Sequence, residues 1–131
     1  MLRYALDTNT VSYYLRREGA VAERLLATSP TQIVLPAVVI YELSFGMRRR
    51  GWRAGLDALS ALVRQVETIA FDLEASDHAA RIRLELESAG LPISTADLLI
   101  AATARRHGCT LVTHNTREFA RVPGLLVEDW Y

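Results

Sequence analysis

Apolar residues along the chain follow two alternating rhythms. Short runs rich in β-branched and aromatic residues lie near Arg3 to Leu6, Gln32 to Leu35, Glu67 to Phe71, Thr110 to Thr113 and Leu125 to Glu128, and each reads as a strand. The longer segments between them place apolar residues at helical spacing, as in Leu56, Leu59, Leu62 and Val63, or Ile100, Ala101 and Ala104. Five strands alternating with about six helices predict an α/β fold, a mainly parallel sheet covered by helices. Gly19, Gly51, Gly90 and Gly108 stand where helices should stop, and Pro36 suits the first turn of the helix after the second strand. The run Arg48-Arg49-Arg50-Gly51 reads as the tip of a helical hairpin.

Composition narrows the class without changing this outline. The sequence has 131 residues, 50% of them hydrophobic and 23% charged, which suits one globular domain over 1–131 and excludes a disordered or fibrous chain. Its longest nearly uncharged apolar stretch, Ile33 to Tyr41, is half of what a membrane-spanning helix needs. The segment from Met1 to Asp7 lacks the apolar region of a signal peptide, so a cytoplasmic location and no membrane partner are expected. A single cysteine, Cys109, excludes an internal disulfide and any cysteine-rich zinc site, and it begins an apolar run that should be buried. His78, His107 and His114 are too scattered for a metal-ligand spacing.

Net charge is zero, so bulk electrostatics do not announce a nucleic-acid binder. The distribution is uneven: residues 1–71 hold nine arginines against six acids, and residues 72–131 hold six against nine, giving +3 and −3. Every basic residue is arginine, and Arg48, Arg49, Arg50 and Arg53 form the densest group. They suit either a solvated turn or a surface that contacts phosphate.

In open parallel sheets, ligands collect beyond the carboxyl ends of the strands. Four acids fall there: Asp7 after the first strand, Glu42 in the helix after the second, Asp97 opening the helix before the fourth, and Glu118 just beyond the fourth. Each could serve structure alone. Asp7, Thr8 or Asn9 could cap a helix, and Ser94 with Asp97 and Asn115 with Glu118 have capping-box spacing. Glu42 resists that explanation, because Val38, Val39, Phe45 and Gly46 are its helical neighbours and set a carboxylate within an apolar stripe. Asp97 shares a face with Ile93, Ile100 and Ala101.

Convergence of Asp7, Glu42 and Asp97 on one cation explains all three. Oxygen-only ligands select Mg²⁺, with Mn²⁺ as a substitute, over zinc. Such an ion can activate water and stabilise charge on a phosphoryl oxygen, the chemistry of phosphodiester hydrolysis. Thr8, Asn9, Thr113 and Asn115 are placed to orient ligands or waters around it.

At this point the residues resemble a known family. Leu6-Asp-Thr-Asn9, Tyr41-Glu-Leu43, Asp97-Leu-Leu-Ile-Ala-Ala102, Thr113-His-Asn-Thr-Arg-Glu-Phe119 and Glu128-Asp-Trp130, in this order, resemble the PIN domain of VapC-type toxins. The resemblance covers the whole chain. It implies a three-layer α/β/α sandwich, a Mg²⁺-dependent endoribonuclease that cuts RNA such as tRNA, a homodimer, and a VapB-type antitoxin partner. It also implies that Asp7, Glu42 and Asp97 match the family's acidic core. Many members carry aspartate where this chain has Asn115, and Glu118, one helical turn later, is the candidate replacement. The expected products are a 5′-phosphate and a 3′-hydroxyl.

Two phosphoryl-transfer families share the first motif but fail on composition. Haloacid-dehalogenase-like phosphatases and response-regulator receivers both place a lysine beside the phosphoryl group, and this chain has none. Two readings remain beside the toxin: a PIN-like nuclease acting on other nucleic acid, and a non-catalytic α/β interaction module. The module leaves Glu42 unexplained.

Overall fold

Ile33-Val-Leu-Pro36 carries no polar residue and is buried throughout, as a strand must be when helices cover both faces of its sheet. The computed structural model describes residues 1–131. Its strands are β1 (Tyr4–Leu6), β2 (Ile33–Pro36), β3 (Glu67–Ile69), β4 (Thr110–Val112) and β5 (Val127–Glu128). They form one sheet in the order β3-β2-β1-β4-β5, with every neighbouring pair parallel. All five fall on the runs expected from the sequence but are shorter, β5 by half, except that β2 is shifted by one residue and reaches Pro36.

Seven α-helices connect them: α1 (Thr8–Arg16), α2 (Val21–Leu26), α3 (Ala37–Arg50), α4 (Arg53–Gln65), α5 (Leu73–Ser88), α6 (Thr95–Arg106) and α7 (Thr116–Phe119). The helical stretch between β1 and β2 breaks in two because Arg17 (φ 57°) and Gly19 (φ 63°) both turn left-handed after α1. The hairpin tip read from Arg48 to Gly51 is present, with Gly51 at φ 68° ending α3 two residues before α4 begins. Tight packing fixes that corner. A Cβ on Gly55 would come within 2.5 Å of the Trp52 ring, so the first turn of α4 closes on the indole only with glycine there.

From β1 the chain moves outward to β2 and β3, then crosses to the other side for β4 and β5. Right-handed crossovers in opposite directions put α1 to α4 on one face and α5 and α6 on the other, the three-layer arrangement. The reversal lies between β1 and β4, whose carboxyl ends flank the crevice where such sheets bind ligands. The main cluster of 28 buried apolar residues underlies that crevice, and Ala5, Leu6, Leu111 and Val112 within it are fully inaccessible. Cys109 is buried, as expected. No helix is long and apolar enough to cross a membrane.

Candidate active site

Asp7 leaves β1 at the sheet's central crevice, and β4 fixes it there. Its backbone N–H donates to the Val112 carbonyl (3.1 Å), and the Thr10 hydroxyl donates to the same carbonyl (3.0 Å). The Asp7 side chain caps α1, with Oδ1 accepting from the Thr10 N–H at 2.8 Å. The capping role and a role in the site are therefore compatible. Only 5% of Asp7 is exposed, and Oδ1 alone is engaged by the cap, which leaves Oδ2 for another partner.

Glu42 joins Asp7 through the next residue, because the Thr8 hydroxyl donates to Glu42 Oε1 at 2.5 Å. The expected apolar stripe around Glu42 needs correction. The buried face of α3 is Val39, Leu43 and Met47, whereas Phe45 is 57% exposed and Val38 is partly covered. Glu42 stands at the seam between this core face and an open apolar groove of about 740 Å³ lined by Val38, Tyr41, Phe45 and Leu99.

Ser94 caps α6, its Oγ accepting the Asp97 N–H at 3.2 Å, and this turns Asp97 into the crevice from the opposite layer. Burial drives the Asp97 carboxyl up to about 6, and the Glu118 carboxylate, close enough to share a hydrogen bond, pushes the same way. The charge on Asp7 adds to the effect, so Asp97 senses both of the other acids.

At the fourth corner the capping box expected for Asn115 and Glu118 does not form. Asn115 makes no side-chain cap on the short α7. Its Nδ2 instead donates to Glu118 Oε2 at 2.8 Å, while its N–H donates to Thr113 Oγ1 at 3.0 Å. Thr113 is fully buried and its own N–H donates to the Glu128 carbonyl, which anchors this corner to β5. Asn115 thus holds Glu118 and tethers it to the end of β4.

The side chains of the four arginines do not share one surface feature. Arg48 donates from Nε to Ser44 Oγ (3.1 Å) and shares a crevice between α3 and α4 with Arg53, away from the acids. The Arg49 guanidinium lies 5.6 Å from the Phe45 ring centre. Arg50 alone enters the crevice of about 270 Å³ that contains Thr8, Asn9 and Glu42. It meets Arg16 there, a residue the sequence reading passed over. The missed signal is a helical stripe on α1, where Asn9, Ser12, Tyr13 and Arg16 recur at intervals of three and four.

No three His, Cys, Asp or Glu side chains approach closely enough to form a ready-made metal cage. Magnesium does not require one, since it keeps several waters and is commonly held by one or two carboxylates together with substrate phosphate. The donor set fits such an ion in chemistry and in charge. It offers carboxylate oxygens without competing thiolate, and Asp97 stands against like charge that a divalent cation would neutralise.

Comparison with known proteins gives a consistent result. A sequence model of the PIN domain matches residues 4–125. The chain is 32% identical over 131 residues to the tRNA(fMet)-specific endonuclease VapC of Shigella flexneri, covering 99% of each. It is 34% identical over 128 residues to the ribonuclease VapC2 of Rickettsia felis, covering 97% of this chain and 90% of that one. Its fold matches the crystal structure of VapBC2 from Rickettsia felis bound to a DNA fragment from their promoter, with a TM-score of 0.91 at 30% identity over 99% of this chain and 100% of that one.

Proposed function

The chain belongs to the PIN-domain family, and on that premise we propose a VapC-type endoribonuclease that serves as the toxin of a toxin–antitoxin pair. Its substrate is structured RNA such as tRNA, and its cofactor is Mg²⁺, for which Mn²⁺ substitutes. The observation that supports this reading is the mutual influence of Asp97, Glu118 and Asp7, drawn from well-separated parts of the chain, at the sheet's topological crevice, with Glu42 tied to that edge through Thr8. A fold that needed Asp97 only as part of a cap would have no reason to bury it beside Glu118 and Asp7 against their charge.

Asp7, Glu42 and Asp97 would hold the cation together with waters and substrate phosphate. When bound, it lowers the pKa of water and stabilises charge on the phosphoryl oxygens. Thr8 orients Glu42 by its hydroxyl, and Thr10 orients Asp7 by its amide. Glu118, with Oε2 fixed by Asn115, takes the proton of the attacking water. The new bond forms from water oxygen to phosphorus as the bond to the 3′ oxygen breaks, and that oxygen takes its proton from solvent. The products are a 5′-phosphate and a 3′-hydroxyl.

The relatives' names support RNA as substrate, and the solved VapBC assembly supports a VapB-type antitoxin as partner. A homodimer accounts for the apolar groove beside Glu42, where Tyr41 and Phe45 stay 67% and 57% exposed in one copy. The pair acts in the cytoplasm, where its RNA targets are. The test is cleavage of a tRNA panel, initiator tRNA included, with Mg²⁺, with Mn²⁺ and with chelator. Cutting of one or few tRNAs, dependent on the ion and leaving 5′-phosphates, is the expected result. Cleavage undiminished by chelator would refute the mechanism.

Arg16 and Arg50 supply the phosphate contacts at the crevice. Arg16→Ala or Arg50→Ala should each weaken RNA binding several-fold and flatten the dependence of log affinity on log salt by about 0.7, the value of one lost contact to a single strand. Arg53→Ala, outside the crevice, should change neither. Equal slopes for all three variants in a salt titration would remove the assignment.

A further inference from the structure

Beside the acidic corner stands a group of aromatic rings with no part in the chemistry above. His114, the residue before Asn115, stacks on Tyr131 with ring centres 4.3 Å apart and planes 24° from parallel. Tyr13 meets both rings edge-on, at 5.9 Å from His114 and 4.8 Å from Tyr131. Tyr13 also lines the crevice that holds Asn9, Glu42 and Arg50, and it senses the charge of Asp7. The rings therefore border the reacting centre.

The stack is rigid. His114 Nδ1 bonds Asp129 Oδ2 at 2.9 Å, and the Tyr131 N–H donates to Asp129 Oδ1 at 2.9 Å, so one carboxylate sets both rings. The Tyr131 carbonyl accepts from the Ala20 N–H at 2.8 Å. Gly19 lets the loop close on the tyrosine, since a Cβ there would come within 2.9 Å of its ring carbons. Despite the stacking, the His114 side chain remains 47% exposed. A surface histidine needs no such support to remain in water, and an ordered aromatic ring with open surface beside a phosphate-binding crevice is what an unpaired base stacks on.

We infer that His114, backed by Tyr131 and braced by Tyr13, is a stacking platform for an unpaired RNA base next to the scissile phosphate. The inference rests on the ribonuclease reading and adds a subsite to it. Stacking accepts any base, so the platform selects for a nucleotide free to leave its helix, as in a loop, and holds it while the acids act on the adjoining phosphate. His114 is a binding residue here, and its ionisation plays no part.

The test compares His114→Phe with His114→Leu, two apolar side chains of which one is aromatic. Steady-state cleavage of an RNA hairpin should show KM raised about tenfold by His114→Leu, with kcat changed less, and KM kept within about twofold by His114→Phe. An Asp97→Asn background, which binds without cutting, allows a fluorescent readout with 2-aminopurine placed beside the cleavage site. The probe should be quenched when His114 is intact and equally when His114→Phe is added. Adding His114→Leu should abolish that quenching. Identical KM and quenching for the two variants would overturn the platform while leaving the nuclease intact. A folded wild-type protein that cuts no RNA with Mg²⁺ or Mn²⁺ would overturn the nuclease itself.

Discussion

Asp7→Asn is expected to reduce RNA cleavage by about 10²- to 10³-fold, the usual cost of removing a preorganised charge from a reacting centre, while barely moving the melting temperature. The two halves of that result come from the two oxygens of one side chain. Oδ1 accepts the Thr10 amide and starts α1, a task that the amide oxygen of asparagine performs as well. The negative charge is what asparagine lacks. Asp7→Ala removes both, so it should lose activity to the same degree and about 1 kcal/mol of stability besides. Single-turnover cleavage together with thermal melts separates the roles. An Asp7→Asn protein that cuts at the wild-type rate would reduce Asp7 to a helix cap.

Asp97→Asn should have the opposite signature in stability. Burial and the neighbouring Glu118 raise this carboxyl from an ordinary 3.8 to about 6, so the folded chain binds the proton more tightly than the unfolded one. Without a cation, the unfolded state therefore gains from ionisation first. Stability should fall as pH rises from about 4 to about 6 and stay reduced above it. Asparagine carries no such charge, so Asp97→Asn should melt higher than wild type at pH 8 in chelator and show no such advantage at pH 4. Adding Mg²⁺ should raise the wild-type melting temperature by mass action and leave the variant almost unchanged. A variant less stable than wild type at pH 8 in chelator would show that Asp97 is not held against like charge. Cleavage should be lost as with Asp7→Asn, so activity is obtained at the expense of stability.

The strands were legible because parallel strands covered on both faces need unbroken apolar runs, and Ile33 to Pro36 and Thr110 to Val112 contain little else. Asp7 and Glu118 were legible because each lies just beyond a strand. Glu42 was singled out for a reason that the structure amends. Periodicity cannot distinguish an apolar face turned to the core from one left open, and Val38 and Phe45 belong to the second kind. The break between α1 and α2 was legible in Gly19, but α1 ends two residues earlier at a left-handed Arg17, which no propensity rule anticipates. Asn115 had the spacing of a cap but binds Glu118 directly. The His114–Tyr131–Tyr13 group was invisible in the sequence, because its members come from opposite ends of the chain and meet only through the sheet.

The sheet order has a consequence for how such a protein is made. β1 is synthesised first, yet the partner that fixes Asp7 is Val112 of β4, and Thr113 beyond it is anchored by Glu128. A nascent chain that stops short of Thr110 carries Asp7, Glu42 and Asp97 but has nothing to hold Asp7 in register and no Glu118 at all. For the site proposed above, the last strands to be made are therefore the ones that would arm it.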